Sequence, residues 1–395
     1  MKKSSFILIL ILFSVFNCLA ISSGNHPAKN KSKATGSRHY KNVTSQTPDS
    51  VYISRLEALP FDCKPFYNSK VRKSIELYTV RSKSTMARAI GLSEFYFPMI
   101  EAIFKSYDVP LELKYIAVLE SGLNPKAANK GVSGMWQFTK GTGQKFGLTV
   151  NSQVDERRDI IESTVAVAKY LKVLNGMYNN WHMVLAAYNC GYGRLNSAIR
   201  RAGGSHDFKK LYPYLPAYTQ HFVPTFIGIA YAFNYYKEHG IKPVAHNFPS
   251  TIDTVSVSKH MHLQQVASAL NIDIRTLRTI NAQYLKDVIP ANEGRTYNLY
   301  IPSDQKVNFM GLRDSMLFSS AAAYSSKQAP SLSLATHSSE KVTTHKVRPG
   351  ETLSGIAKHY KVSLTKLREW NSISGSRIKT GRVLTVYLGQ NDAKN

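Results

Sequence analysis

The chain runs to 395 residues, 43% of them hydrophobic and 19% charged, and its 51 lysines and arginines against 25 aspartates and glutamates leave a net charge of +26. That charge is spread along the chain and no nucleic-acid motif accompanies it, which excludes nucleic acid as the expected partner in favour of acidic surfaces. The 12 histidines are scattered and the three cysteines, Cys18, Cys63 and Cys190, stand in no spacing that fits a zinc site, so neither a metal nor a cofactor is expected.

The amino terminus carries Met1-Lys2-Lys3 followed by FILILILFSVF, a positive start and an apolar run of about 11 residues. Such a run is too short to span a bilayer comfortably and is typical of an export signal. Cys18 and Ala20 lie three and one residues before Ile21, which suits cleavage after Ala20 and a signal peptide over 1–20. Cys18 also admits a second reading, as a lipid acceptor that would attach the chain to a membrane, although Asn17 is larger than the residue usual before such a cysteine. Export to the periplasm or cell envelope is expected on either reading. From Ser22 to Ser50 the sequence is rich in Ser, Lys, Asn and Thr and lacks periodicity, so 21–85 reads as a tether and lead-in segment. Export permits a disulfide, but two remaining cysteines do not specify one, and Cys190 reads as a packed thiol.

Residues 86–245 read as an all-helical domain, long enough to bury a sizeable core without a metal or disulfide staple. In LELKYIAVLESGLNP, Leu113, Ile116 and Ala117 precede Glu120 by seven, four and three residues, so all four side chains share one helical stripe. A carboxylate ending an apolar stripe is buried or lines a cleft. Desolvation there raises its pKa and keeps a glutamic acid protonated near neutrality, fit to serve as a general acid. For this segment alone, the plain alternative is a helix-end Glu that reaches water. Gly131-Val132-Ser133-Gly134-Met135-Trp136-Gln137-Phe138 is a glycine-punctuated turn able to bring backbone close to a ligand. Asp159 and Glu162 read as a capping box opening a helix whose Ile161, Val165, Ala168 and Leu171 face inward. NNWHMVLAAYNCGYGR sets Trp181, Val184, Leu185 and Tyr188 at helical spacing, with Asn189 next and then Gly191 and Gly193 ending the helix. Phe222, Phe226, Ala230 and Phe233 repeat at helical intervals before Gly240.

ESGLNP, GVSGMWQ and AYNCGYGR, in that order over some 70 residues, resemble the three-part signature of the Slt-type lytic transglycosylases, which share a goose-lysozyme-like fold. The likeness runs from about Ser93 to Gly240, and VDERRDI points to the membrane-bound lytic murein transglycosylase D subgroup. The resemblance implies cleavage of the β-1,4 bond between N-acetylmuramic acid and N-acetylglucosamine in peptidoglycan, with the muramic 6-hydroxyl attacking to leave a 1,6-anhydro end. An ordinary glycosidase needs two carboxyls. Here the nucleophile belongs to the substrate and is already tethered, so one acid suffices: Glu120 protonates the departing oxygen, then accepts the proton of the attacking hydroxyl. By position, the resemblance implies that Ser121 fixes the local backbone, that Met135 and Gln137 line the cleft, and that Tyr188 and Asn189 lie near the acid. Asn129 stands nearest the place where relatives carry a small hydroxyl residue, and Tyr218 in Leu215-Pro216-Ala217-Tyr218-Thr219 replaces a family carboxylate. Tyr192, Tyr212 and Tyr214 are open to two readings, core aromatics or platforms for sugar rings. Two rival functions stand beside the transglycosylase: a lysozyme-like muramidase that uses water, and a catalytically silent peptidoglycan-binding scaffold.

Leu263, Val266, Ala267, Ile272, Leu277 and Asn281 recur 90 residues later as Leu353, Ile356, Ala357, Val362, Leu367 and Asn371, an internal repeat that implies one small module twice. The second copy, over 344–389, reads strand, turn, two short helices, strand, and closely resembles a LysM domain, a βααβ module that binds N-acetylglucosamine-containing glycans. The resemblance implies a groove between the first turn and the second helix-to-strand loop, with Gly350, Glu351, Thr352, Leu353, Asn371 and Ile378 as glycan contacts. The first copy, over 251–302, keeps the apolar frame but lacks the Pro-Gly-Glu-Thr turn, so a degenerate LysM fold with weak or no sugar binding is expected. Residues 303–343, rich in Ser and Ala, read as a linker. The expected architecture is multidomain: an all-α goose-lysozyme-like catalytic domain followed by small α+β LysM-type modules, with peptidoglycan glycan strands as partner.

Overall fold

The computed structural model describes residues 47–312, apart from 293, and 341–388, apart from 372, 374, 376 and 377. The expected signal peptide with Cys18, most of the tether and residues 313–340 of the expected linker lie outside the described residues. Two compact units are formed, one on each side of that linker.

The first unit opens with helices α1 (Asp49–Glu57), α2 (Ser69–Glu76) and α3 (Lys83–Ser106). Asn68 caps α2 by accepting the amides of Lys70 and Val71, each at 3.0 Å. Tyr52, Val71 and Ile75 are fully buried, so the segment before residue 86 shares the core of the helical domain. There follow α4 (Tyr115–Ser121), a sheet of three two-residue strands, β1 (Ala128–Asn129), β2 (Val132–Ser133) and β3 (Phe138–Thr139), and α5 (Lys140–Lys145). Helices α6 (Glu162–Tyr178), α7 (Trp181–Cys190), α8 (Tyr192–Arg201), α9 (Phe208–Leu211) and α10 (Ala217–Asn234) complete the domain. Phe222, Phe226, Ala230 and Phe233 are all buried, as their spacing predicts, and α10 packs against α2, α4 and α7. Burying such side chains stabilises by roughly 1.5–3 kcal/mol each.

Three local expectations are corrected. Helix α6 starts at Glu162, with Ile161 ahead of it, because Asp159 Oδ1 accepts the amides of Ile161 (2.9 Å) and Glu162 (2.8 Å) instead of forming the expected box. Its inward face carries Thr164, Val167, Ala168 and Leu171, and Val165 is half-buried. Helix α7 ends at Gly191 (φ 82°), whereas Gly193 belongs to α8, since one left-handed residue suffices to break the helix. Cys190 is a buried free thiol, as its packed-thiol reading expects, and so is Cys63.

The first repeat, in the same unit, comprises β4 (Ile252–Val257), β5 (Met261–His262), α11 (Leu263–Ala269), α12 (Ile274–Ile280), β6 (Val288–Ile289) and β7 (Tyr297–Pro302), with β4 antiparallel to β7 and Val255 opposite Leu299. The second unit holds β8 (Lys341–Lys346), α13 (Leu353–His359), α14 (Leu364–Trp370) and β9 (Val383–Leu388), with β8 antiparallel to β9. Leu353, Ile356, Ala357 and Leu367 form its core, as Leu263, Val266, Ala267 and Leu277 do in the first copy. The repeated asparagine does the same work in both. Asn281 donates to Leu277 O and Tyr300 O and accepts from Tyr300 N–H, while Asn371 donates to Leu367 O and Thr385 O and accepts from Thr385 N–H, all within 2.7–3.0 Å.

Candidate active site

Glu120 stands in the last turn of α4, on the stripe seated by Leu113, Ile116 and Ala117, which are 0% exposed. Its side chain is half-buried, and among the described residues no donor bonds its carboxyl. Desolvation is therefore unopposed and pushes its pKa up to about 8, so the group carries its proton at neutral pH. The helix stops at Gly122 (φ 62°), and Leu123 also takes φ 65°. A buried leucine in the left-handed region is strained, and it persists because packing holds it.

Ser121 ties this helix end to the glycine turn. Its hydroxyl donates toward Ala117 O (3.1 Å) and Met135 O (2.9 Å) and accepts Asn124 N–H (3.1 Å). The turn is anchored from behind by Arg157. That guanidinium grips both oxygens of Asp155 at 2.8 Å and donates to Gly131 O (2.9 Å) and Phe138 O (3.1 Å), at the two ends of the turn. The approach is so close that a Cβ on Gly134 would lie 1.5 Å from Arg157 O, and φ there is 87°. Only glycine fits. Arg158 adds a 2.9 Å bond to Ser133 Oγ.

Gln137 takes φ 51° and donates from Nε2 to Gly134 O (2.7 Å) and Ala127 O (3.2 Å), which leaves Oε1 as an acceptor for a ligand. Trp136 is fully buried, with Nε1 donating to Thr164 Oγ1 at 3.1 Å. Tyr188 donates its hydroxyl to Trp136 O at 2.6 Å. Burial first, then the charge of Glu120, holds that phenol protonated, so the two groups are within electrostatic reach of each other. Asn189 is oriented by a 2.9 Å bond from the buried Thr219 hydroxyl to its Oδ1.

A cleft of about 580 Å³ opens beside this constellation, lined by Ser121, Asn129 and Gln137 together with Arg88, Phe248 and Thr279. Ser121 and Gln137 thus line the cleft, Glu120 adjoins Ser121, and Tyr188 reaches the turn through Trp136 O, whereas Asn189 is tied to Thr219 on α10 and is not part of the cleft wall. Met135 is different: its side chain is 1% exposed, and it contributes its carbonyl to Ser121. VDERRDI pointed to the subgroup and Thr219 stood in a family pattern, but neither assigned Arg157, Asp155 or Thr219 a role, because their partners Gly131, Phe138 and Asn189 lie far off in sequence. Tyr170 went unread as well. Its ring lies 5.7 Å from Tyr188 and 5.1 Å from Phe146, off the apolar stripe of α6. Tyr192 and Tyr214 are exposed, at 52% and 38%.

In the second unit, Gly350 (φ 83°) forms an exposed turn before α13. Glu351 Oε2 accepts Arg348 N–H and meets His345 Nε2, both at 2.7 Å, and Thr352 caps α13 through Gly355 N–H at 3.2 Å. Leu353 is core, Ile378 packs against that core, and the amide of Asn371 is spent on Leu367 O and β9, so these three, expected as glycan contacts, are engaged within the module itself.

Residues 97–211 match the family profile described as transglycosylase SLT domain, 251–316 the lytic transglycosylase MltD LysM-like domain, and 345–386 the LysM domain. Among curated proteins, the chain is 30% identical over 327 residues to membrane-bound lytic murein transglycosylase D of Escherichia coli K12, covering 82% of this chain and 70% of that one. It is 29% identical over 139 residues to membrane-bound lytic murein transglycosylase F of Salmonella arizonae, 31% of this chain and 26% of that one. It is 38% identical over 109 residues to the peptidoglycan transglycosylase gp16 of Escherichia phage T7, 27% of this chain and 8% of that one.

Proposed function

The chain belongs to the membrane-bound lytic murein transglycosylase D family, and from that premise we propose that Glu120 is its single catalytic acid–base. The enzyme is a peptidoglycan lytic transglycosylase, cleaving the bond between N-acetylmuramic acid and N-acetylglucosamine without water. Protonated Glu120 gives its proton to the glycosidic oxygen as that bond breaks. The resulting carboxylate then accepts the proton of the muramic 6-hydroxyl as its oxygen bonds to the anomeric carbon, closing the 1,6-anhydro ring and restoring the acid. The observation that carries this reading is a half-buried carboxyl closing the apolar stripe of α4 next to Ser121 of the cleft wall, where burial raises its pKa, with the Tyr188 phenol in electrostatic reach. Asp155 is engaged by Arg157 and Asp159 by Tyr300, which favours a one-carboxyl scheme over a hydrolase needing a second acid to activate water. Gln137 and Asn189 orient the sugar, and Ser121 and Asn129 shape the cleft. The second LysM module holds glycan through its Gly350–Thr352 turn.

The enzyme works in the cell envelope, reached through the export signal at 1–20, with periplasmic release after Ala20 and lipid anchoring at Cys18 as the two routes. Among the described residues no helix is long and apolar enough to cross a membrane.

Mass spectrometry of products from purified peptidoglycan tests the mechanism. Muropeptides with 1,6-anhydro ends are expected, with a loss of at least about 100-fold in Glu120→Gln. Reducing ends would identify a hydrolase, and wall binding without soluble products a scaffold.

A further inference from the structure

The first repeat has the frame of a glycan-binding module, but its polar surface is turned to another use. Tyr300 on β7 is 0% exposed and donates its hydroxyl to both oxygens of the buried Asp159, at 2.8 and 2.9 Å. Asn298 Nδ2 reaches Glu162 Oε1 at 3.3 Å. The backbone joins as well: Val154 bridges antiparallel to Tyr284, Asp155 N–H donates to Gln283 O, and Leu285 N–H donates to Gln153 O, the last two at 2.9 Å. Val154, Gln283 and Tyr284 are buried along this seam.

The loop so gripped, residues 149–159, carries the Asp155–Arg157 pair. Arg157 fixes both ends of the glycine turn, and the turn meets Ser121, next to Glu120, through Met135 O. The contact also reaches the cleft itself, where Lys126 Nζ bonds Thr279 Oγ1 at 3.1 Å and Thr279 lines the wall. The second copy marks the divergence. At the position where its repeated asparagine locks Thr385, the first copy has Tyr300, and the Gly350–Thr352 turn has no counterpart before α11.

We propose that the first repeat is a positioning element of the catalytic cleft: through Tyr300, Asn298 and the Val154–Tyr284 bridge it holds the 149–159 loop in register, so that Arg157 presents the glycine turn to Glu120. The proposal rests on the reading of Glu120 as the acid. Misplacing catalytic groups by even about 1 Å from a remote site costs up to about 100-fold in rate, and such a loss falls on kcat when ground-state binding is untouched.

The test uses the full chain turning over soluble, uncrosslinked glycan strands, with folding checked by circular dichroism. Tyr300→Phe removes one hydroxyl and is expected to lower kcat roughly tenfold with KM within about twofold. Asn298→Ala, which leaves the module core intact, is expected to lower kcat about two- to threefold and keeps the test open if Tyr300→Phe does not fold. Arg275→Ala, at an exposed ion pair of the same module, is expected to match the parent. Parent-like kcat in the folded seam variants overturns the proposal, as does an equal loss in Arg275→Ala or a loss confined to KM. Glu120→Gln in the same assay separates the two readings: activity there sinks the assignment of the acid, whereas an inactive Glu120→Gln beside parent-like seam variants sinks only the positioning role.

Discussion

At Glu120, one burial effect governs both activity and stability. Its pKa, ordinarily 4.5, is raised to about 8 by desolvation, so the acid form persists at neutrality and is lost as pH rises through about 8. Activity of the parent should therefore fall on that alkaline limb, measured as kcat/KM against pH on soluble strands, which reports the free enzyme; a flat profile to pH 10 would remove Glu120 as the proton donor. The same shift carries a stability cost with a defined sign. Between pH 4.5 and 8 the unfolded chain has released this proton while the folded one keeps it, so stability declines as pH rises across that window. Glu120→Gln has no proton to keep. It should melt higher than the parent at pH 8, by the equivalent of roughly 1–3 kcal/mol once cleft water is allowed for, and the gap should close towards pH 4.5. Thermal melts at the two pH values check this, and a mutant that melts lower at pH 8 would contradict it. An inactive but more stable variant is the familiar trade between site chemistry and fold.

Among the elements, the glycine turn is the least forgiving. Gly134→Ala places a Cβ 1.5 Å from the carbonyl of Arg157 at φ 87°, combining a clash with left-handed strain, and should destabilise by about 3 kcal/mol or more. A denaturant midpoint near the parent's would mean that the turn and the 149–159 loop do not meet as described. The sequence announced this turn through its glycines but not what they accommodate, since the neighbour that forbids a side chain is 23 residues away. Helices α4, α7 and α10 were legible because apolar side chains recur at the helical interval. Where the reading slipped, local hydrogen bonds decided: Asp159 satisfies two amides ahead of α6 and delays its start, and Gly191 alone ends α7. Glu120 and Tyr188 could be found because each is a polar group closing an apolar stripe. Arg157 and Thr219 could not, since their value lies in partners that only the fold brings near.

For the whole molecule, the duplication was plain in the spacing of six residues, and the shared asparagine lock explains why both copies keep that spacing. Their divergence was half legible: the missing turn of the first copy could be read, but its burial against the catalytic domain could not, because Tyr300 and Tyr284 look like ordinary strand and loop aromatics. Division of labour between the copies makes a further prediction. The second unit has a core of its own, built on Leu353, Ile356, Leu367, Leu384 and Val386, so removing residues 341–395 deletes one folded piece and spares the other. If that unit retains the enzyme at the wall, its loss lowers the local concentration of the catalytic domain at an insoluble polymer, by about tenfold or more. Soluble strands diffuse to the site unaided, so kcat and KM on them should be unchanged. The remaining excess of positive charge still attracts the acidic polymer, and that attraction is screened by salt. The truncated enzyme should therefore lose activity on intact sacculi more steeply than the parent as salt is raised. Equal salt profiles on sacculi, or an equal loss on soluble strands, would show that the second unit acts on catalysis rather than on retention.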